Sequence, residues 1–122
     1  MEWIVEFSGE FEREFKAFEE EVQNGLFAQA KLLEQFGPEF GRPRVDTLKG
    51  SRHANMKELR FDASGGVWRV AFAFDPRRRA ILLVAGDKSG VSEKRFYKQL
   101  IKKADERFET HLTELKKGDR DG

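Results

Sequence analysis

Three observations predict a single α+β domain. Apolar residues recur at helical spacing from Phe11 to Phe36 and again from Phe96 to Leu112. The stretch between them alternates at strand spacing and is cut by short glycine- and proline-containing turns. Strands that follow one another through short turns make an antiparallel meander, and helices segregated before and after it define the class. The 122 residues leave room for one such domain, expected over residues 1–116 with a flexible tail at 117–122.

The elements follow in order. Glu2 to Phe7 is a short strand with Trp3, Val5 and Phe7 on one face, and Ser8 is placed to cap a helix. Phe11, Phe15, Phe18 and Val22 form one helical face, with glutamates covering the rest. Asn24-Gly25 interrupts the pattern. A second helix carries Leu26, Ala30, Leu33 and Phe36 and stops before Gly37-Pro38, giving a helical hairpin. Arg44 to Lys49 is a short edge strand. Met56 to Asp62 is a strand with Leu59 and Phe61 on one face and Glu58 and Arg60 on the other. Ala63-Ser64-Gly65-Gly66 turns the chain into Val67–Phe74, where Trp68, Val70, Phe72 and Phe74 oppose Arg69. A turn at Asp75-Pro76-Arg77-Arg78-Arg79 leads to the apolar run Ala80–Ala85, a strand buried on both faces. A loop at 86–90 precedes a last helix, from about Ser92, with Phe96, Leu100, Ala104, Phe108 and Leu112 in line.

Composition narrows the function classes. Without cysteine there is no disulfide framework, thiolate zinc site or cysteine nucleophile, which fits a reducing compartment. No apolar run approaches the ~20 residues that span a bilayer, and no signal pattern opens the chain, so the expected location is cytoplasmic, with no membrane partner. Twelve Phe and two Trp supply a core despite 37% charged residues. The net charge of +1 hides an uneven distribution. Residues 1–40 carry 3 basic and 10 acidic side chains, residues 41–104 carry 16 and 6, and residues 105–122 carry 4 and 6. Such asymmetry points to a polyanionic partner.

The sequence lacks the motifs of the common chemistries. There is no dinucleotide fingerprint, Walker loop or nucleophile elbow, and no ligand-like grouping of His and carboxylates, so neither cofactor nor metal is expected. His111 lies on the last helix, where a solvent-facing position is expected; His53 lies in a basic loop, as an acid–base candidate. Arg42, Arg44, Lys49, Arg52, Lys57, Arg60 and Arg69 concentrate on the central strands and their loops. Alternation places Arg60 and Arg69 on one sheet face, joined by one hairpin, with Lys88 at its rim. They form either an open cationic face or a set of arginines each paired with a local acid such as Glu58. Fixed cations suit phosphate chemistry. On RNA the 2′-hydroxyl supplies the nucleophile, leaving charge stabilisation to Arg60 and Arg69 and proton transfer to Lys57, Lys88 or His53. Lys49 and Arg52 would hold the RNA. Arg77, Arg78 and Arg79 are expected only to keep a turn soluble.

The segments Leu48-Lys49-Gly50, Lys57-Glu58-Leu59-Arg60, Trp68-Arg69-Val70-Ala71-Phe72 and Gly86-Asp87-Lys88 resemble, in order and spacing, the RelE/ParE toxin superfamily. The likeness is closest to its HigB-like branch, including phage-derived members, and it runs to about residue 116. It implies a RelE-like fold: an N-terminal strand and helical hairpin packed on a small antiparallel meander, then a C-terminal helix. It also implies the toxin of a type II toxin–antitoxin pair that enters the ribosomal A site and cuts mRNA by metal-independent 2′-hydroxyl attack, inhibiting translation. Partners would be a helix-turn-helix antitoxin and, through it, operator DNA. By position, Arg60 and Arg69 would bind the scissile phosphate, Lys88 would match the basic residue after the last strand, and Tyr97 the aromatic near the start of the final helix. RelE has lysines where this chain has Met56 and Glu58; HigB-like members commonly have Glu at the second position. That leaves His53 and Lys57 as substitutes for proton transfer. Two other activities share the fold: inhibition of gyrase in the ParE manner, and a non-cutting role in an antitoxin–operator repressor complex.

Overall fold

The computed structural model describes residues 2–121. Strand β1 (Ile4–Phe7) leads into α1 (Gly9–Lys16) and α2 (Glu20–Phe36), followed by a 3₁₀ turn at Gly37–Glu39. Then come β2 (Val45–Thr47), β3 (Lys57–Ala63), β4 (Gly66–Phe74), β5 (Arg79–Asp87) and α3 (Glu93–Asp121). The ordering is that expected, with α3 helical past residue 116 and Gly122 outside the described residues. None of the described helices is long and apolar enough to cross a membrane.

The sheet order is β1-β5-β4-β3-β2. β2 to β5 form the antiparallel meander, while β1 returns to the edge parallel to β5, pairing Ile4 with Arg79 through Phe7 with Leu82. Helices cover both faces. On one, Phe11, Phe15, Val22, Leu26 and Leu33 of α1 and α2 pack on Leu59, Phe61, Val70, Phe72 and Leu82. On the other, Phe96, Leu100, Ala104 and Phe108 of α3 pack on Met56, Ala71, Ala73, Ile81 and Leu83. The alternation read from the strands is what divides them: consecutive residues of β4 feed opposite cores.

The helical hairpin breaks earlier than its sequence predicts. Ser8 caps α1 as expected, its Oγ accepting the Phe11 N–H at 3.3 Å, but α1 ends at Lys16 and α2 runs unbroken through Asn24-Gly25. Gly25 is a packing residue: a Cβ there would lie 2.9 Å from the Phe61 ring. The glycine lets α2 approach the sheet, and its cost in helix propensity, about 1 kcal/mol, is offset by that contact.

A bulge shapes the far side of the sheet. Ala71 pairs with Val84 but Phe72 with Leu82, leaving Leu83 as the extra residue of β5. Its carbonyl accepts from Arg107 Nη1 at 2.8 Å, and the same guanidinium holds Glu14 through two bonds of 2.8 and 2.7 Å and Glu10 at 2.9 Å. Arg107 thus ties α3 to α1 past the sheet edge, and its hydrogen bonds hold the Glu14 carboxyl below its ordinary pKa.

The β4–β5 turn corrects two expectations. Asp75 is buried, and its carboxylate accepts the backbone N–H groups of Arg77 and Arg79 at 2.9 and 3.0 Å and the Arg79 guanidinium at 2.9 and 3.1 Å. Arg78 lies over the Trp3 ring, 4.6 Å from its centroid. These turn arginines are therefore structural. His111, expected to face solvent, has a side chain only 17% exposed, with Nε2 2.8 Å from Asp75 Oδ2. The last helix passes over this turn, and a carboxylate without water needs such partners.

Burial acts to raise the Asp75 pKa, but the hydrogen bonds from His111 and Arg79 outweigh it and hold the carboxyl below its ordinary value. A folded-state pKa below the unfolded ~3.9 means that the native state binds fewer protons there. The contribution is complete above that value and is lost as pH falls from there through the lower folded-state pKa. Asp75→Asn is expected to cost about 2–4 kcal/mol near neutral pH, with the gap to the parent closing below pH ~4. Urea unfolding midpoints at several pH values measure this, and a gap that stays constant with pH would contradict the assignment.

Candidate active site

Residues on the α3-facing side of β3 and β4 converge on one carboxylate. The antiparallel register sets Arg60 directly opposite Arg69, with Gly86 of β5 on Arg69's other flank. Glu58 lies two residues before Arg60 and shares its face, and its side chain is only 6% exposed. Glu58 Oε1 accepts Arg60 Nε at 3.0 Å and the Tyr97 hydroxyl at 2.8 Å. Arg69 Nε stands 3.3 Å from the same oxygen, close enough for an ion pair but not aligned for a hydrogen bond, so this buried N–H lacks an acceptor among the described residues. Arg69 Nη1 donates to the Trp68 carbonyl at 3.0 Å.

The first turns of α3 complete the site. Gly86 admits the helix, since a Cβ there would lie 2.9 Å from the Phe96 ring. That seating brings the next residue, Tyr97, onto Glu58. Lys88, just past β5, pairs with Glu93 at 3.0 Å and sits 5.9 Å from the Tyr97 ring centroid. Beyond Arg60, Asp46 accepts Arg42 at 3.1 Å and Arg60 Nη2 at 3.4 Å. Its pKa is lowered, first by the Thr47 backbone N–H and, against a raising effect of desolvation, by the two arginines. The result is an open cleft of about 380 Å³ lined by Arg42, Asp46, Lys49, Glu58, Arg60 and Tyr97 among others.

Of the residues singled out from sequence, Arg60, Arg69, Lys88, Lys49 and Tyr97 come together here. The others do not. Lys57 alternates with Glu58 and so belongs to the sheet face of Leu59 and Phe61, under the helical hairpin. His53 and Arg52 are stapled further along α3: His53 Nε2 lies 3.2 Å from Glu109, and Arg52 pairs with Glu109 at 3.0 Å and Asp105 at 3.6 Å. Ser51 Oγ donates to Asp105 at 2.5 Å within the same staple. No group of side chains among the described residues has the makings of a metal site. The residue that reading strands one at a time undervalued is Glu58. Its signal was present in the i, i+2 spacing to Arg60, but the partners on β4 and α3 are distant in sequence.

The arginines are therefore acid-paired, as one of the two sequence readings had it, yet not spent. Arg60 is 33% exposed and Arg69 13%. Glu58 occupies the Nε side of each, and on the cleft side Arg60 Nη2 lies 3.4 Å from Asp46. Two opposed guanidiniums and an aromatic hydroxyl held by a shared buried anion make a preorganised anion site.

A five-stranded, mostly antiparallel sheet with this helix order is a RelE-like fold. The free form of an arginine-to-alanine double mutant of the Escherichia coli toxin RelE superposes with a TM-score of 0.56 at 12% identity, covering 83% of this chain and 95% of that one. Residues 13–109 match the model of the family described as "Phage derived protein Gp49-like (DUF891)", and the chain belongs to that family. Two Mycobacterium tuberculosis relatives place it with the HigB-like proteins. The protein named toxin HigB2 is 50% identical over 91 residues, 74% of this chain and 45% of that protein, so the chain spans less than half of that relative. The one named toxin HigB3 is 46% identical over 101 residues, 83% of this chain and 86% of that protein.

Burial raises the Tyr97 pKa, and the hydrogen bond and charge of Glu58 raise it further, against an opposing effect of Arg69. Tyr97 is the chain's one tyrosine, so its ionisation can be read directly from tyrosinate absorbance. The phenol is expected to titrate above the ordinary value of ~10 and to move down toward it in Glu58→Gln. Coincident titration curves for the two proteins would disconnect Tyr97 from Glu58.

Proposed function

We propose that this chain is the toxin of a type II toxin–antitoxin pair and that it acts as an endoribonuclease, cutting mRNA in the ribosomal A site and so stopping translation. The observation that carries the reading is Arg60 set opposite Arg69 across the β3–β4 ladder, both oriented by buried Glu58 at the edge of an open cleft. The family of toxin-named relatives supports it.

In this reading Arg60 and Arg69 bind the scissile phosphate. The RNA's 2′-oxygen attacks phosphorus while its proton passes to solvent, the bond to the 5′-oxygen breaks, and the Lys88 ammonium protonates that oxygen. The products are a cyclic 2′,3′-phosphate and a free 5′-hydroxyl. Because the substrate brings its own nucleophile, the protein's task is to stabilise charge building on the phosphorane, which guanidinium pairs do without a metal ion. Tyr97 and Lys49 hold the flanking RNA. Lys57, His53 and Arg52, placed elsewhere, have no part in this scheme. The antitoxin, a helix-turn-helix protein that carries the pair to operator DNA, silences the toxin by binding it.

Expression of the chain is expected to arrest growth and to leave cuts in translated transcripts. Arg60→Ala should lower cleavage about 10²–10³-fold, the loss typical of removing one charge-stabilising donor. Arg69→Ala should do the same and also cost about 1–3 kcal/mol of stability, since it strips a partner from a buried carboxylate. Arrest with intact mRNA would remove the nuclease reading. If DNA-damage signalling accompanied it, the ParE-like activity would take its place, and absence of toxicity with retained antitoxin binding would leave only the repressor role.

A further inference from the structure

The outer face of α3 carries a charge pattern that neither the fold nor the cleft explains. Lys94, Arg95, Lys98 and Lys102 are all exposed, with Ser92 and Gln99 beside them, and together they line a shallow open depression of about 460 Å³. Lys94, Lys98 and Lys102 follow one another at i, i+4 spacing, so they stack along one stripe of the helix about 6 Å apart. None of the four makes an ion pair with a described residue. Further along the same helix the charge is mixed, with Glu106, Glu109 and Glu114 interspersed with Arg107, Lys116 and Lys117. The other lysines and arginines of the central block largely have internal tasks: Arg60 and Arg69 hold Glu58, Lys88 holds Glu93, and Arg79 holds Asp75.

Intramolecular physics opposes this arrangement. Like charges at i, i+4 repel, and cations in the opening turns of a helix face the positive end of its dipole. A solvated face needs only mixed charge, and acids at these positions would have served the helix better. A fixed cationic stripe that disfavours its own helix is accounted for by an external anion.

We propose that this face is a second docking surface, for the phosphate backbone of double-stranded A-form RNA, separate from the cleft that takes the strand to be cut. The choice of RNA as the polyanion rests on the proposed cleavage of RNA in the neighbouring cleft. The choice of backbone over bases rests on the face itself. It holds no aromatic ring on which an unpaired base would stack, and three of its four cations are lysines, which meet phosphates as flexible point charges. The cation stripe runs parallel to the helix axis, so successive turns of α3 would meet successive phosphates of one strand.

The test measures binding of a labelled RNA hairpin of arbitrary sequence by fluorescence anisotropy across a range of salt concentrations. It compares the full chain with Lys94→Gln/Lys98→Gln/Lys102→Gln. The triple variant is expected to bind at least tenfold more weakly at low salt. Its slope of log K against log salt should be shallower by about 2–3, since each neutralised phosphate contributes about 0.7–0.9. Its melting temperature should hold or rise, because only repulsion is removed. Lys31→Gln, on α2, controls for loss of a cation elsewhere and should change the slope by less than one. An unchanged slope in the triple variant overturns the proposal. So does displacement of the hairpin by polyglutamate as readily as by unlabelled RNA, which would assign the face to an acidic protein. Failure of the cleavage reading is separable: Arg60→Ala should lower cutting about 10²–10³-fold while keeping the parental α3 contribution, and a parent that never cuts RNA yet shows the slope difference would retire the nuclease and keep the docking face.

Discussion

The buried carboxylate of Glu58 is the constraint on which the functional end of the molecule depends. Two guanidiniums placed opposite each other in a strand ladder would repel, and like charges in cross-strand register destabilise a sheet. An ionised carboxylate on the same face, nearly withdrawn from water, would by itself carry a desolvation penalty of several kcal/mol. Each problem is the other's solution. Glu58 lets Arg60 and Arg69 share one face, the arginines let Glu58 be buried, and Tyr97 supplies a third donor that draws the start of α3 into the same knot. Each arginine has a second hold as well, Arg60 Nη2 on Asp46 and Arg69 Nη1 on the Trp68 carbonyl.

The rest of the fold brings those groups together and isolates them. Alternation in β4 sends Val70 and Phe72 to one core and Arg69 and Ala71 to the opposite face. Among the described residues Arg60, Arg69 and Lys88 therefore make no ion pair with the helical hairpin, whose Glu10 and Glu14 bind Arg107 instead. The bulge at Leu83 and the absent side chain at Gly86 adjust the β5 surface on which α3 lies, at its middle and at its start. Arg107 anchors that helix to α1, and Asp75 anchors it to the β4–β5 turn. Position along α3 thus fixes role: Tyr97 at the cleft, Asp105 and Glu109 on the loop before β3, and His111 over the turn.

Local pattern carried most of this. The facing of β1, β3 and β4 could be read from alternation and β5 from its continuous apolar run, because these strands' faces are sorted between two cores. The arginine pair was legible for the same reason, through the hairpin that joins β3 to β4. What escaped depended on contacts between residues far apart in sequence. Asn24-Gly25 has the local chemistry of a break, and only the Phe61 ring shows that Gly25 is a close-approach residue inside a helix. His111 looks like a surface histidine until the turn at Asp75 is seen beneath it. His53 and Lys57 were credible proton carriers on composition, but one is held by Glu109 and the other points to the opposite face. The expected open sheet face is likewise partly roofed by α3, since nothing in a helix's own periodicity says which side of a sheet it will cover.

The parallel pairing of β1 with β5 has a consequence in time. Ile4 must wait for Arg79, and Glu58 must wait for Tyr97, before either contact can exist. Contacts of such sequence separation close late, because the loop entropy is spent before they reward it. During synthesis β1 emerges before the meander and stays unpaired while the meander is made. The arginine pair then lacks its aromatic partner until the opening turns of the last helix have left the ribosome. The cleft is thus complete only after all five strands and the opening turns of α3 are in place.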